Sequence, residues 1–496
     1  MPLALWSTGY ILALAAGQRF SDEFSRTGWQ MAPPDLLTQD PIRTALAVHT
    51  QPPLWNLLVG SVGWASAGNE QVGYSLLMFA FGSLIAVLAT KIALTTGCGP
   101  LAAVTIGVAV GMWPTTFWNS FALNYELPVA VGLLTVASII ASHGYRLRTR
   151  HLTYVSLIMT ALMLTRSIFH PLVVVAVVVG FAFASRRTAH RVALICAIAL
   201  PCAFAGAIVV KNYVLVDVPS TTSWSGMNLL RGTATPVPRD DLEQMARRGE
   251  ISPIGATPPF SEIGSYPDAL NGCRTHGLPA VLQRRFTSRG SYVPFIGARV
   301  DVPNYNYACY VDVYQQAGKD ALQIARRRPR EMLRGRVAAA RAWFTTYPPA
   351  DTPVGRWSTL ARIPDFDTFR IRTEEWSGAP YYRSLVNEPL SLLVILCGAT
   401  SIGFLIVAAR RRDVSRELRD LAFFTGGAYI FIFAVGIAFE IGEQARFRMS
   451  IDQLSATTAL VFIAAAARSA KQRRSVRAKV RATTPPSLAR IDHARP

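Results

Sequence analysis

The chain has 496 residues, of which 51% are hydrophobic and only 16% charged, against roughly 25% charged in ordinary soluble domains. With a mean hydropathy of +0.28 and 6 Cys, these values exclude a disordered chain, a water-soluble domain of this size and a disulfide-rich mini-scaffold, and leave an integral membrane protein with several spans. The net charge of +20 would suggest nucleic acid in a soluble protein. In a multi-spanning chain basic residues instead gather in cytoplasmic loops, so no nucleic-acid partner is expected.

Apolar runs long enough to cross ~30 Å of hydrocarbon at ~1.5 Å per residue lie at 2–18, 71–94, 100–118, 122–142, 152–168, 169–185, 190–211, 388–409, 419–440 and 450–468. The first run is short. It reads as a span or, from its Ala-Leu-Ala-Ala-Gly stretch, as a signal peptide, and the lack of a basic leader favours the span. With the N-terminus inside, four of the five cytoplasmic segments are basic: Arg146, Arg148 and Arg150; Arg186 and Arg187; Arg410, Arg411, Arg412, Arg416 and Arg419; and the tail from Arg468 to Arg495. The positive-inside rule therefore supports ten spans with both ends inside. Of the 50 basic residues 45 are Arg, a bias that fits a GC-rich, bacterial genome and hence a bacterial plasma membrane.

The expected fold is an all-α polytopic membrane protein of about ten transmembrane helices with a mixed extracytoplasmic domain. Residues 1–211 form an N-terminal membrane module whose first outer loop is 19–70. Residues 212–387 form the outer domain, 388–468 the last membrane helices and 469–496 a basic cytoplasmic tail. Within the outer domain, Leu322, Ile324, Met332, Leu333, Val337 and Trp343 recur near helical spacing in a basic stretch. That pattern predicts a surface helix with arginines at lipid headgroups. Cys273 and Cys309 share the oxidising side and are expected to form a disulfide. Cys98, Cys196, Cys202 and Cys397 fall in or beside spans and read as small apolar residues. No Cys/His spacing suggests a metal site.

Candidate chemistry collects at the outer span ends. Asp22 and Glu23 stand where the chain leaves the first span. His49-Thr50-Gln51-Pro52-Pro53-Leu54 follows, its double proline leading into a membrane-surface helix. Asn124, Tyr125 and Glu126 begin the fourth span, Arg166 and His170 lie between the fifth and sixth, Lys211 and Asn212 end the seventh, and Glu440, Glu443, Arg446 and Arg448 lie between the ninth and tenth. Ionisable residues this close to hydrocarbon are costly and are paired or functional. Carboxylates and arginines on one face suit an anionic substrate presented at the lipid surface. Asp365-Phe366-Asp367 matches a metal-holding pattern of nucleotide-sugar enzymes, but no nucleotide-binding sheet surrounds it and it reads as a chance match.

Asp22-Glu23 followed by His49-x-x-Pro52-Pro53-Leu54 resembles the start of the GT-C membrane glycosyltransferases, and most of all family 39, the protein O-mannosyltransferase and aminoarabinose transferase group. Glu126, Arg166 in Leu164-Thr165-Arg166-Ser167, and Glu443-x-x-Arg446-Phe447 fall where that group carries polar site residues. The likeness covers 1–211 and the last two spans and says little about 212–387. Gln51 departs from the basic or acidic residue often found before the double proline, and the leader before the first span is nearly absent.

The resemblance implies a polyprenyl-phosphate sugar donor, an acceptor hydroxyl on a glycan, lipid or protein, membrane lipids as surroundings, and inverting transfer on the outer face. It implies Asp22 as general base with Glu23 second, and His49, Gln51, Glu126, Arg166, His170, Glu443 and Arg446 as substrate-binding. No cofactor is assigned. A divalent cation stays open, because some enzymes of this architecture use one. Two other classes compete. A lipid or glycan transporter would place charge near the bilayer midplane, and a non-catalytic scaffold would not need the charge cluster.

Overall fold

The computed structural model describes residues 1–344 apart from 272, 274 and 294–297, and then 389–411, 414–439 and 444–483. Helices dominate, and the strands named among the described residues form one antiparallel hairpin, Phe286–Val293 with Ala298–Pro303. Among the described residues four helices are long and apolar enough to cross a membrane: Glu70–Thr95, Glu126–His143, Arg191–Val216 and Arg416–Phe439. The other apolar runs are helical too, but shorter or less uniformly apolar. Pro2–Ala15 has 14 residues, about 21 Å at 1.5 Å per residue. The run at 100–118 is cut in two because Pro114, with no N–H, begins a new short helix, Pro114–Asn119, after Pro100–Gly111. Conversely, no Gly or Pro stops the last helix, which runs from Asp452 to Thr483 and carries part of the basic tail with it.

Pro2–Ala15 packs inward through Trp6, Tyr10 and Ala13. The Tyr10 ring stacks on Phe121 at 4.4 Å, and Gly82 leaves room for the Trp6 indole. The Glu126–His143 helix lies deepest in the bundle. Leu127, Val129, Leu134, Val136, Ala137 and Ile140 are fully buried against its neighbours.

The described part of the 212–387 segment has its own core around Trp224, Met227, Leu230, Tyr305, Tyr310 and Tyr314. Its helices Ser225–Ala234 and Tyr310–Arg327 approach closely at Gly226 and Gly318. A Cβ on Gly226 would stand 2.1 Å from the Tyr314 carbonyl oxygen, so only glycine fits there. The amphipathic stretch is two helices rather than one, Tyr310–Arg327 and Pro329–Ala342, broken at Arg328–Pro329. Ala321 and Ile324 are fully buried in the domain core, so the first of the two is not a lipid-surface helix. Cys273 and Cys309 are disulfide-bonded with Cα atoms 5.6 Å apart. Closing this 36-residue separation contributes roughly 3–4 kcal/mol on the chain-entropy account. Thiol reductant should therefore lower the melting temperature of the purified protein, and Cys273→Ser/Cys309→Ser should remove that sensitivity.

This second core sits on the 19–70 segment. Arg284 pairs with Asp35, Ser288 Oγ donates to the Arg26 carbonyl at 2.9 Å, and Trp29 packs on Phe260 at 4.9 Å. The loop that carries Asp22 and Glu23 is thus held between the bundle and the domain.

Candidate functional site

Chain geometry brings the 19–70 segment to the head of the buried Glu126–His143 helix. Ser21 N–H donates to Phe121 O at 2.8 Å, and Leu123 N–H donates to Ser21 O at 3.0 Å. This short parallel bridge lays Asp22 and Glu23 beside the 123–126 segment. Asp22 accepts from both Arg26 Nη atoms, at 3.1 and 3.2 Å, in a bidentate pair one helical turn long. Glu23 is half-buried and starts the Phe24–Thr27 turn. The Phe24 ring meets Tyr125 edge-on at 5.8 Å.

Glu126 is 1% exposed and opens its helix, where the N-terminal dipole favours a carboxylate. Its Oε1 accepts from Arg446 Nε at 2.7 Å and lies 3.8 Å from Arg166 Nη1. Arg166 sits in extended backbone just after Thr149–Thr165, buried to 4% exposure. Its guanidinium lies over two rings, 4.6 Å from the Tyr125 centroid and 4.4 Å from that of Phe447. The N–H groups of a guanidinium point in its plane, and Nη1 donates to Ser450 Oγ at 2.8 Å. Arg446 also lies over Tyr125, at 4.7 Å, and over Phe24, at 5.2 Å. Two guanidinium groups therefore share one buried carboxylate beside the Asp22–Glu23 loop.

Asp22, Glu23, Glu126, Arg166 and Arg446 are thus gathered from four separate parts of the chain. His49 is engaged elsewhere. It is fully buried, with Nε2 2.9 Å from the Asn306 carbonyl and Nδ1 2.6 Å from Ser223 Oγ. A carbonyl only accepts, so Nε2 carries the proton and Nδ1 accepts from Ser223. Asn306 Oδ1 also accepts from the His49 and Thr50 N–H groups and from Thr50 Oγ1. His49 therefore clamps the 19–70 segment to the 212–344 unit, and Gln51 is buried close by in sequence. His170 is exposed and caps the Pro171–Ser185 helix by accepting from Leu172 N–H. Glu443 and Asp365–Asp367 lie outside the described residues. Among the described residues no three His, Cys, Asp or Glu side chains are grouped to hold a metal.

Burial pushes the His49 imidazole down to about 4, with the nearby Lys211 charge acting in the same direction against the Asn306 bond. The folded value lies below the ordinary value of about 6.5. The unfolded chain therefore binds more protons at intermediate pH, and stability falls as pH drops through 6.5 towards 4. The span corresponds to about 3 kcal/mol. His49→Gln should flatten the pH dependence of the melting temperature between pH 7 and 4, at the cost of lower stability at pH 7.

Ser450, Phe24 and Arg26 belong to this site without having drawn notice in the sequence. Ser450 had no signal at all. Phe24 and Arg26 adjoin Asp22-Glu23, and Arg26 falls at the i+4 spacing that pairs charges on a helix. Asn306 and Ser223 could not be foreseen as partners of His49 because they lie 257 and 174 residues away. No protein-family model, no curated protein and no solved structure matches the chain.

Proposed function

We propose that this chain is a multi-pass membrane glycosyltransferase of GT-C architecture, with ten spans and an extracytoplasmic site. It moves a sugar from a polyprenyl-phosphate donor to an acceptor hydroxyl with inversion. The observation that carries the reading is the convergence of the Asp22–Glu23 loop on the buried Glu126–Arg166–Arg446 cluster. A carboxylate of Asp22 or Glu23 takes the acceptor proton as the hydroxyl oxygen attacks the anomeric carbon. The bond from that carbon to the phosphate oxygen breaks, and its electron pair leaves with the lipid phosphate. Arg166 and Arg446 supply in-plane, charge-assisted donors to that anion. Tyr125, Phe447 and Phe24 fix the guanidinium planes, so little reorganisation is needed as charge develops. His49 and Gln51 enter as scaffold of the outer loop. The transporter alternative is weaker, because charge collects at helix ends rather than along the middle of the spans.

Two experiments test this. Membranes containing the protein, given radiolabelled polyprenyl-phosphate sugars, should move label from the lipid fraction to a non-lipid-phosphate product. Membranes bearing Arg166→Gln/Arg446→Gln should not. A reporter fused after Arg495 should read as cytoplasmic and one inserted near Gly290 as external. Both reporters on one side would contradict the ten-span topology.

A further inference from the structure

The Pro329–Ala342 helix runs alongside the outer end of the membrane-crossing Arg416–Phe439 helix. Arg336 Nη1 donates to the Ile437 carbonyl at 2.7 Å. Seven residues on, Trp343 is fully buried. Its Nε1 donates to Tyr429 OH at 2.8 Å, its ring meets Phe433 edge-on at 5.2 Å, and its carbonyl accepts from Arg448. From Arg336 to Trp343 this segment advances ~10 Å, while the contacts on the other helix pass from Ile437 to Gly436, Phe433 and Tyr429. The two therefore run antiparallel, and Trp343 lies beside the last turns of the spanning helix.

The outward side of this segment is mixed. Leu333 is 66% and Val337 48% exposed, and Arg330 and Arg334 are exposed. At 100° per residue these four fall within an arc of about 100°. Arg328 pairs with Asp241 and Glu331, and Arg327 with Glu250. Arg330 and Arg334 have no ion pair among the described residues. Counted from Arg336, Arg334 stands ~3 Å and Arg330 ~9 Å further out along the axis. Side chains on a helix lean towards its N-terminus, here outwards.

We propose that this helix is a docking surface for anionic phospholipid. Leu333 and Val337 contact the acyl boundary of the leaflet, and Arg330 and Arg334 bind headgroup phosphate. The depth set by Trp343 and Arg336 argues for lipid as the occupant, since a face beside the end of a spanning helix borders the leaflet. Two exposed cations one turn apart without carboxylate partners argue for an anionic headgroup. The inference rests on the membrane reading of the chain and is independent of glycosyl transfer.

The test is native mass spectrometry of the full-length protein in micelles containing equimolar phosphatidylglycerol and phosphatidylcholine. Wild type should retain phosphatidylglycerol preferentially. R330A/R334A should lower that preference roughly 30-fold, about fivefold for each arginine at an anionic surface. R326A, which removes an exposed arginine on the preceding helix, should leave it unchanged. Equal retention of both lipids by wild type, or a preference that survives in R330A/R334A, would overturn the proposal. The first result would leave this face to a protein partner. Should the double variant fail to fold, the single variants R330A and R334A decide, each expected to show the fivefold step. A normal lipid preference in a preparation without transferase activity would sink the enzymatic reading and leave this one standing.

Discussion

Asp22→Asn should lower the rate of sugar transfer by roughly 10²–10⁴, the usual span for removal of a general base. The substitution keeps the shape of the side chain and removes its charge and basicity. Expression and thermal stability should hardly change, because the lost interaction is the Arg26 pair, and Arg26 is exposed. Pairs of that kind contribute about 0–1 kcal/mol. Glu23→Gln is the decisive comparison. The two carboxylates are adjacent in sequence but not equivalent. Asp22 lies in the Arg26 fork, and Glu23 begins the turn that carries Phe24 under Arg446. One of the two variants should be much the more damaged. A dead Glu23→Gln with an active Asp22→Asn would move the base by one residue and leave the enzyme class intact. Near wild-type transfer by both would remove the general-base mechanism.

Glu126→Gln should be the most destabilising polar substitution at the site. Glu126 is the carboxylate that Arg446 and Arg166 share in a buried setting. Removing one member of a buried ion pair costs about 3–5 kcal/mol, and here two like charges stay stacked against the same Tyr125 ring. Arg446→Gln should cost less, because Arg166 and Glu126 remain as a pair. Thermal unfolding in detergent reads both. If Glu126→Gln melts with the wild type, the triad is not what holds the 444–449 helix against the head of the Glu126–His143 helix.

Much of the bundle was legible because apolar runs declare themselves by length. Each predicted run contains a helix. The sequence-based boundaries failed where a single residue overrules composition. Pro114 splits a run that hydropathy joins, and the absence of any breaker lets the last helix continue past Arg468. Glu126, Arg166 and Arg446 were legible for a similar reason, since charge beside hydrocarbon is costly and therefore conspicuous. What holds those charges was harder to see. Tyr125 and Phe447 stand beside those charges in the sequence, but their position over Arg166 is visible only once three distant segments meet. His49 shows the limit from the other side. A histidine ahead of a double proline looks chemical, yet both ring nitrogens are held by residues far along the chain. Similarly, periodicity across 321–344 merged two helices whose exposed faces have different surroundings, because the kink at Arg328–Pro329 leaves little trace in the apolar pattern.

The most direct measurement is a reconstituted assay. Purified wild-type protein in phospholipid vesicles is given a panel of radiolabelled polyprenyl-phosphate sugars with an extract of cell-envelope acceptors. Free polyprenyl phosphate and labelled acceptor are quantified together. One sugar of the panel should be transferred, one polyprenyl phosphate should be released for each sugar moved, and the Asp22→Asn/Glu23→Gln double variant should do neither. Movement of intact sugar-lipid between leaflets with no cleavage of the sugar–phosphate bond would contradict glycosyl transfer and favour the transporter reading.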